Sequence, residues 1–268
     1  MHLNNCWAVA AMEYEEYLQL DQLLAAQRPA TRQHDEMMFI IIHQATELWL
    51  KCALHEVDAA IGHIRGDALP AASKILARVS RIQSQLIQSW DVLSTLTPAD
   101  YLTFRHALGG ASGLQSLQYR LLEFRLGAKD AARVDRVAEP GARARLADAL
   151  AAPSLYDEAI LALARRVAVD PAVVLRDWSE VHQPNDAIVA AWMEVYRRPD
   201  QFWDLYELAE KLVDLADWFQ QWRFRHLTTV ARIIGYKTGT GGTAGVPYLK
   251  RALEHRFFPE LWDVRTAL

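Results

Sequence analysis

From Asp200 to Ile234 the chain contains neither Gly nor Pro, and this unbroken window limits the possible fold more than any other feature. Gly and Pro are the two strong helix breakers, so nothing in this window interrupts an α-helix. Within it Leu205, Leu208, Leu212, Leu215, Phe219, Trp222, His226, Thr229 and Ile233 recur at alternating three- and four-residue steps. That period aligns them on one helical face, a seam to be buried against other helices. Elsewhere the 12 Gly and 10 Pro gather at a few breaks, and no alternating strand pattern of useful length lies between them.

The chain therefore reads as all-α, a bundle-like single domain over 1–268. Helices are expected over 16–27, 35–64, 71–96, 99–108, 113–127, 155–167, 171–181, 184–197 and 200–234, with a short one over 246–254. The stretch 128–152, rich in Ala, Arg and Asp and broken at Pro140-Gly141, reads as an exposed helical hairpin or connector, a peripheral insert.

Charge and composition narrow the function. Twenty-nine Lys+Arg against 33 Asp+Glu give a net charge of −4, which supplies no basic stripe for nucleic acid or an anionic membrane. Cys6 and Cys52 are too few for a disulfide framework and have no zinc-site spacing. The most apolar run, Phe39 to Leu50, is interrupted by His43, Gln44 and Glu47 and is shorter than a membrane span. The start, MHLNNCWAVAAM, lacks the charged residues and clean apolar core of a signal peptide. A cytoplasmic protein with a small neutral or zwitterionic ligand is the expectation.

His226 stands at a seam position whose neighbours along the face are large and apolar, so its imidazole needs a partner inside. A backbone carbonyl, a carboxylate or a metal would each serve. Arg223 and Arg225 flank the same turn, which suits an acidic ligand near the imidazole. A second histidine, His43, interrupts another seam, the one formed by Phe39, Thr46, Leu50, Ala53 and Val57. Two buried histidines on helices able to face each other suggest a pocket with something between them. A haem would fit, with one imidazole as axial ligand and the other above the open face. Periodicity does not say which is which. Glu-x-x-His pairs and HExxH are absent. Most of the remaining His2, His34, His55, His63, His106, His182 and His255 are expected as surface or capping residues.

Two further segments can hold a ligand. GYKTGTGGTAG, Gly235 to Gly245, can bring backbone N–H and hydroxyl groups close to one, although it is not a phosphate-binding loop. In YLTFRHALGGASGLQSLQYR, Tyr101 and Arg105 share a helical face and can clamp a carboxylate, and Ser112 and Gln115 have capping-box spacing.

These segments, together with YEEYLQLDQLLAAQ, HDEMMFIIIHQATELWLK, YELAEKLVDL and WRFRHLTTVARIIGYKTGTGGTAGVPYL, resemble the tryptophan 2,3-dioxygenase family across nearly the whole chain. The resemblance implies haem b, whose iron binds dioxygen, and insertion of both oxygen atoms across the indole C2–C3 bond of L-tryptophan to give N-formylkynurenine. By motif, His226 matches the axial iron ligand and His43 the distal histidine near the indole nitrogen. Arg105 matches the carboxylate-binding arginine with Tyr101 beside it, Thr240 a substrate contact and Phe39 an aromatic wall. Ser112, Arg225 and Trp90 are carried over beside the cofactor. Tyr14, Tyr17 and Leu18 match a segment that reaches a neighbouring subunit's pocket, which implies a homotetramer. Leu114 departs from the family's usual Phe, and Ala244 and Pro247 from its usual loop residues. These departures leave two alternatives: a related haem oxygenase adding one oxygen to a substituted tryptophan, or a haem or indole sensor without turnover.

Overall fold

A computed structural model describes residues 13–242 and 244–268, which include neither Cys6 nor His2. Among the described residues every regular element is helical. The first, α1 (Tyr14–Leu18) and α2 (Leu20–Leu24), replace the single helix expected over 16–27. Gln19 between them takes φ 52°, a left-handed conformation that an L-residue adopts only at a break.

The next two are α3 (His34–Arg65) and α4 (Leu69–Leu93). Asp35 and Glu36 in the first turn of α3 and His63 and Arg65 in its last complement the helix dipole, and Pro70 opens α4 where its missing N–H costs nothing. By length and composition α3 is long and apolar enough to cross a membrane, although the run from Phe39 to Leu50 alone is not. Its inner face packs on α4 through Ala53, Val57, Ala60 and Ile64, all buried, while Met37, Ile41, Leu48 and Trp49 stay exposed.

After α5 (Pro98–Phe104) the chain tightens into 3₁₀ turns at Arg105–Leu108 and Gly113–Gln115 before α6 (Leu117–Arg125). The stretch expected as an exposed hairpin forms α7 (Ala131–Asp135) and α8 (Pro140–Ala151), and one face of it is interior. Leu146 and Ala149 are buried against α6. The buried Lys129 ammonium donates to the carbonyls of Ala149, Leu150 and Ala152 at 2.6–2.8 Å, closing the C-terminus of α8.

Two helices follow, α9 (Leu155–Ala164) and the single turn α10 (Pro171–Val174). The helix expected over 171–181 stops there because Arg176 folds its own loop around itself. Its guanidinium meets Asp157 at 2.7 Å and the carbonyls of Asp177 and Glu180 at 2.9 and 2.6 Å. The last elements are α11 (Asp186–Arg197), α12 (Trp203–Ile233), α13 (Val246–Glu254) and α14 (Pro259–Ala267). No helix is expected at α14 from the sequence. A buried polar knot fixes it: Glu260 accepts from Tyr156 Oη at 2.9 Å and from the Asn185 N–H at 3.1 Å, and meets His182 Nε2 at 2.5 Å. His182 is therefore a docking residue rather than a surface one.

The seam of α12 is buried as its period requires, with Leu205, Leu208, Leu212 and Leu215 all fully covered. Helix α4 runs between α3 and α12 and packs along both. At roughly 25 cal/mol per Å², such burial is the main stabilising contribution available to a chain of this kind. Toward the C-terminal end of α4 the three helices part, and a cavity opens between them.

Candidate active site

The cavity has a volume of about 770 Å³. Phe39 and His43 come from α3, Trp90 from α4, Trp222 and His226 from α12, and Tyr101 from α5. Ser112 and Thr240 line it from two loops. Seven of the residues singled out in the sequence thus meet in one space, namely Phe39, His43, Trp90, Tyr101, Ser112, His226 and Thr240.

The two histidines are held differently. His43 Nδ1 lies 2.7 Å from the Phe39 carbonyl, which can only accept, so Nδ1 carries the proton and Nε2 keeps a free lone pair. Burial lowers its pKa, against the opposing pull of that hydrogen bond and of Glu47. The His226 ring has no hydrogen bond among the described residues, and burial, with His43 nearby, lowers its pKa to about 4. Both imidazoles are therefore neutral at pH 7, the state in which one can ligate a metal. Trp90 stacks on His226 at 4.6 Å with only 10° between the planes, and Trp222 lies 5.7 Å away, so aromatic packing alone orients the ring.

Phe39 forms an apolar wall braced by Phe104 at 5.5 Å and Tyr101 at 6.1 Å. Burial raises the Tyr101 hydroxyl pKa, and the Arg105 guanidinium opposes this. Arg105 itself lies just outside the main cavity, in an adjoining hollow of about 250 Å³ that shares Tyr101, Ile233 and Ile234 with it. Its Nη2 donates to the Thr238 carbonyl at 2.6 Å, while its buried Nε has no partner. Thr240 Oγ1 donates to the Ala111 carbonyl at 2.6 Å. Ser112 caps the turn that follows it, with Gln115 completing the box.

Other expected residues lie elsewhere. Arg225 points away from the cavity and pairs with Asp91 on α4. Arg223 is a buried tie, not a free cation: it meets Glu123 at 3.1 Å and the carbonyls of Ala252 and His255 at 3.1 and 2.9 Å. Tyr14, Tyr17 and Leu18 are exposed on α1, away from this chain's own cavity.

One end of the cavity matches the sequence only at Arg223. Arg120, Lys129, Arg133 and Arg223 line it against only Glu123 and Asp130, with Tyr248 and His255 beside them. The nearby guanidiniums of Arg133 and Arg120 pull the Tyr248 hydroxyl pKa down despite burial. His255 Nε2 is buried without a partner. These residues come from α6, α7, α12, α13 and the loops beside them, and of the cations among them the sequence pointed to an acidic ligand only at Arg223.

A large apolar cavity with a cationic end suits a flat apolar ligand that carries acidic groups along one edge. Among the described residues no three His, Cys, Asp or Glu side chains gather as a metal site, so an iron here needs ligands of its own besides imidazole. A haem with its two carboxylates meets both requirements, and the donor set fits it.

Comparison with known proteins decides the family. The family model described as tryptophan 2,3-dioxygenase matches residues 3–149 and 177–268. The chain belongs to the tryptophan 2,3-dioxygenase family. A relative named tryptophan 2,3-dioxygenase from Bacillus thuringiensis (strain Al Hakam) is 56% identical over 260 residues, 96% of this chain and 93% of the relative. Those of the same name from Geobacillus thermodenitrificans and Burkholderia ambifaria are 54% and 53% identical, each over 96% of this chain and over 92% and 84% of their own lengths. The unmatched stretch, 150–176, holds α9, whose Leu155, Ala159 and Leu163 are fully buried, so it belongs to the core of this family member all the same.

Proposed function

We propose that this chain is a haem-dependent dioxygenase that inserts both atoms of dioxygen across the indole C2–C3 bond of L-tryptophan, giving N-formylkynurenine. One observation carries the reading: two neutral imidazoles line a single apolar cavity whose far end is cationic. Haem b, when bound, supplies the iron that takes up and activates dioxygen. His226, oriented by the stacked Trp90, would be the protein ligand to that iron. Arg120, Arg133 and Tyr248 are placed to receive the acidic edge, with Ser112 lining the same space. Arg225, which does not line the cavity and reaches Asp91 instead, is left out of this role.

The remaining residues sort the substrate's two ends. Phe39 and Tyr101 offer the indole an apolar aromatic wall. Arg105 supplies a bidentate cation for the carboxylate, and Thr240 a hydroxyl for the ammonium or carboxylate group. His43 Nε2 accepts the indole N–H and so fixes the ring's position; an indole N–H is too weak an acid for its full removal to be required. Tyr14 and Tyr17, 72% and 71% exposed, fit a homotetramer in which α1 closes a neighbour's site. The exposed apolar side of α3 belongs to such an interface, and with a net charge of −4 the protein is read as cytoplasmic and not bound to nucleic acid or membrane.

The test is to load the purified protein with haem and supply L-tryptophan, a reductant and isotope-labelled dioxygen. Product carrying two labelled atoms supports the proposal. Product carrying one, made faster from a substituted tryptophan, would instead favour the oxygenase reading suggested by Leu114, which lines the cavity. Ligand binding without oxygen consumption would favour a sensor.

A further inference from the structure

The loop after α12 rests on the Ser112 turn with no room to spare at one position. A Cβ built on Gly241 would lie 2.6 Å from Ser112 Cβ and 2.7 Å from its Oγ, with Leu114 Cδ1 at 3.5 Å. Ser112 Cβ is fixed by the backbone and its hydroxyl is occupied in capping the turn, so neither can swing aside. The neighbouring Gly242 differs: its φ of +75° turns the chain, and a Cβ there would meet nothing within 4 Å. Gly241 does not take a left-handed φ, so what an added methyl would violate is space alone.

Just before this contact the loop is held by the side chains assigned above to the substrate. Arg105 Nη2 binds the Thr238 carbonyl and Thr240 Oγ1 binds the Ala111 carbonyl, each at 2.6 Å. Gly241 is adjacent to Thr240, at the position where an added Cβ would collide with Ser112.

We propose that Gly241 is a positioning residue for substrate binding: its missing side chain lets the 238–242 loop seat on Ser112, and that seating fixes Thr240 and Arg105 at the cavity rim. The inference rests on the proposed function for the identity of the substrate, but not for the docking itself. A methyl at this position forces the loop outward by about 1 Å to reach ordinary van der Waals separation. His43 and His226 stand on helices and do not follow it. The loss should therefore fall on KM and spare kcat.

The experiment compares haem-loaded wild type, Gly241→Ala, Ser112→Gly, the double variant, and Gly110→Ala as a control whose Cβ meets nothing within 4 Å. Two quantities are read: the rate of trypsin cleavage after the exposed Lys237, without substrate, and KM and kcat for L-tryptophan. Gly241→Ala should speed cleavage and raise KM by about tenfold, with kcat within about twofold and the haem spectrum unchanged. In the Ser112→Gly background the same substitution should change either quantity by less than about twofold, because the clash is gone. Gly110→Ala should change neither.

Cleavage and KM of wild-type size in Gly241→Ala overturn the proposal, as do equal effects in both backgrounds or faster cleavage with an unmoved KM. If Gly241→Ala does not fold, recovery of folding in the double variant supports the clash and its absence overturns it. If the cleavage pattern appears but no protein turns over tryptophan, the docking stands and the proposed function fails.

Discussion

The cavity has two kinds of wall. The side bearing His226 is built from long helices: α12 and α4 pack along each other, and Trp90 lies flat on the imidazole. The side bearing Thr240 is built from loops, held by two hydrogen bonds to backbone carbonyls and one glycine contact. The helical wall keeps its shape through buried area, whereas the loop wall depends on a few polar contacts that a substrate carboxylate must share or replace. On the proposed function, rigid elements would hold the cofactor ligand to tight geometry and loops would leave the substrate a way in. Substitutions in the first wall should cost cofactor or stability, and those in the second should cost KM.

The largest expected effect is at His226. His226→Ala should abolish the Soret band of the reconstituted protein while far-UV circular dichroism stays helical; an unchanged band would break the axial assignment. Next comes the tie beneath the same wall. Arg223→Ala leaves Glu123 with Arg120 alone in a buried setting and should cost about 3 kcal/mol, read as a lower denaturant midpoint. A midpoint equal to wild type would show that Arg120 suffices.

Acid should act on the helical wall by a similar amount. The unfolded His226 takes up a proton near its ordinary value of 6.5, but the folded one only near 4. Folding is then opposed as pH falls from about 6.5 to about 4, at up to about 3 kcal/mol. Above that window this histidine has no effect on stability, and below it the cost is complete. Comparing apoprotein stability at pH 7 and pH 4 in wild type and His226→Leu isolates the contribution, since the variant should lose less on acidification. An equal loss in both would contradict the burial of His226.

On the loop wall, Arg105→Ala should keep haem and raise KM for L-tryptophan by about a hundredfold, the loss of a charged hydrogen-bonded contact. Loss of haem in this variant would erase the distinction between the walls. The smallest effect is expected at His43, where Gln can still accept the indole N–H through its carbonyl: His43→Gln should lower kcat by about tenfold at most. A loss of several thousandfold would make the histidine an obligatory base.

The helical wall was readable in the sequence because its residues recur with the period of the helix they form. Leu205 to Ile233 and Phe39 to Val57 announce their buried faces, and with them His226 and His43. Arg225 misled because sharing a turn is not sharing a side: it is one residue from His226 and so about 100° around the helix, where it meets Asp91. The cationic end was hidden because Arg120, Lys129, Arg133 and Tyr248 are brought together only by packing between α6, α7 and α13. Helix α14 escaped for the same reason, since Glu260 is anchored by Tyr156 and His182, far away in sequence. Gly241 belongs to a loop whose glycines were visible, but which of them is there for clearance depends on Ser112, and only the folded chain shows that.

The proposed activity needs a haem held by His226 that delivers dioxygen to the indole of tryptophan. Product mass from L-tryptophan and labelled dioxygen tests it most directly. Formylkynurenine carrying two labelled oxygen atoms, formed by the haem-loaded protein and not by His226→Ala, is the predicted result. Product with a single labelled atom, or equal formation by the variant, would contradict it.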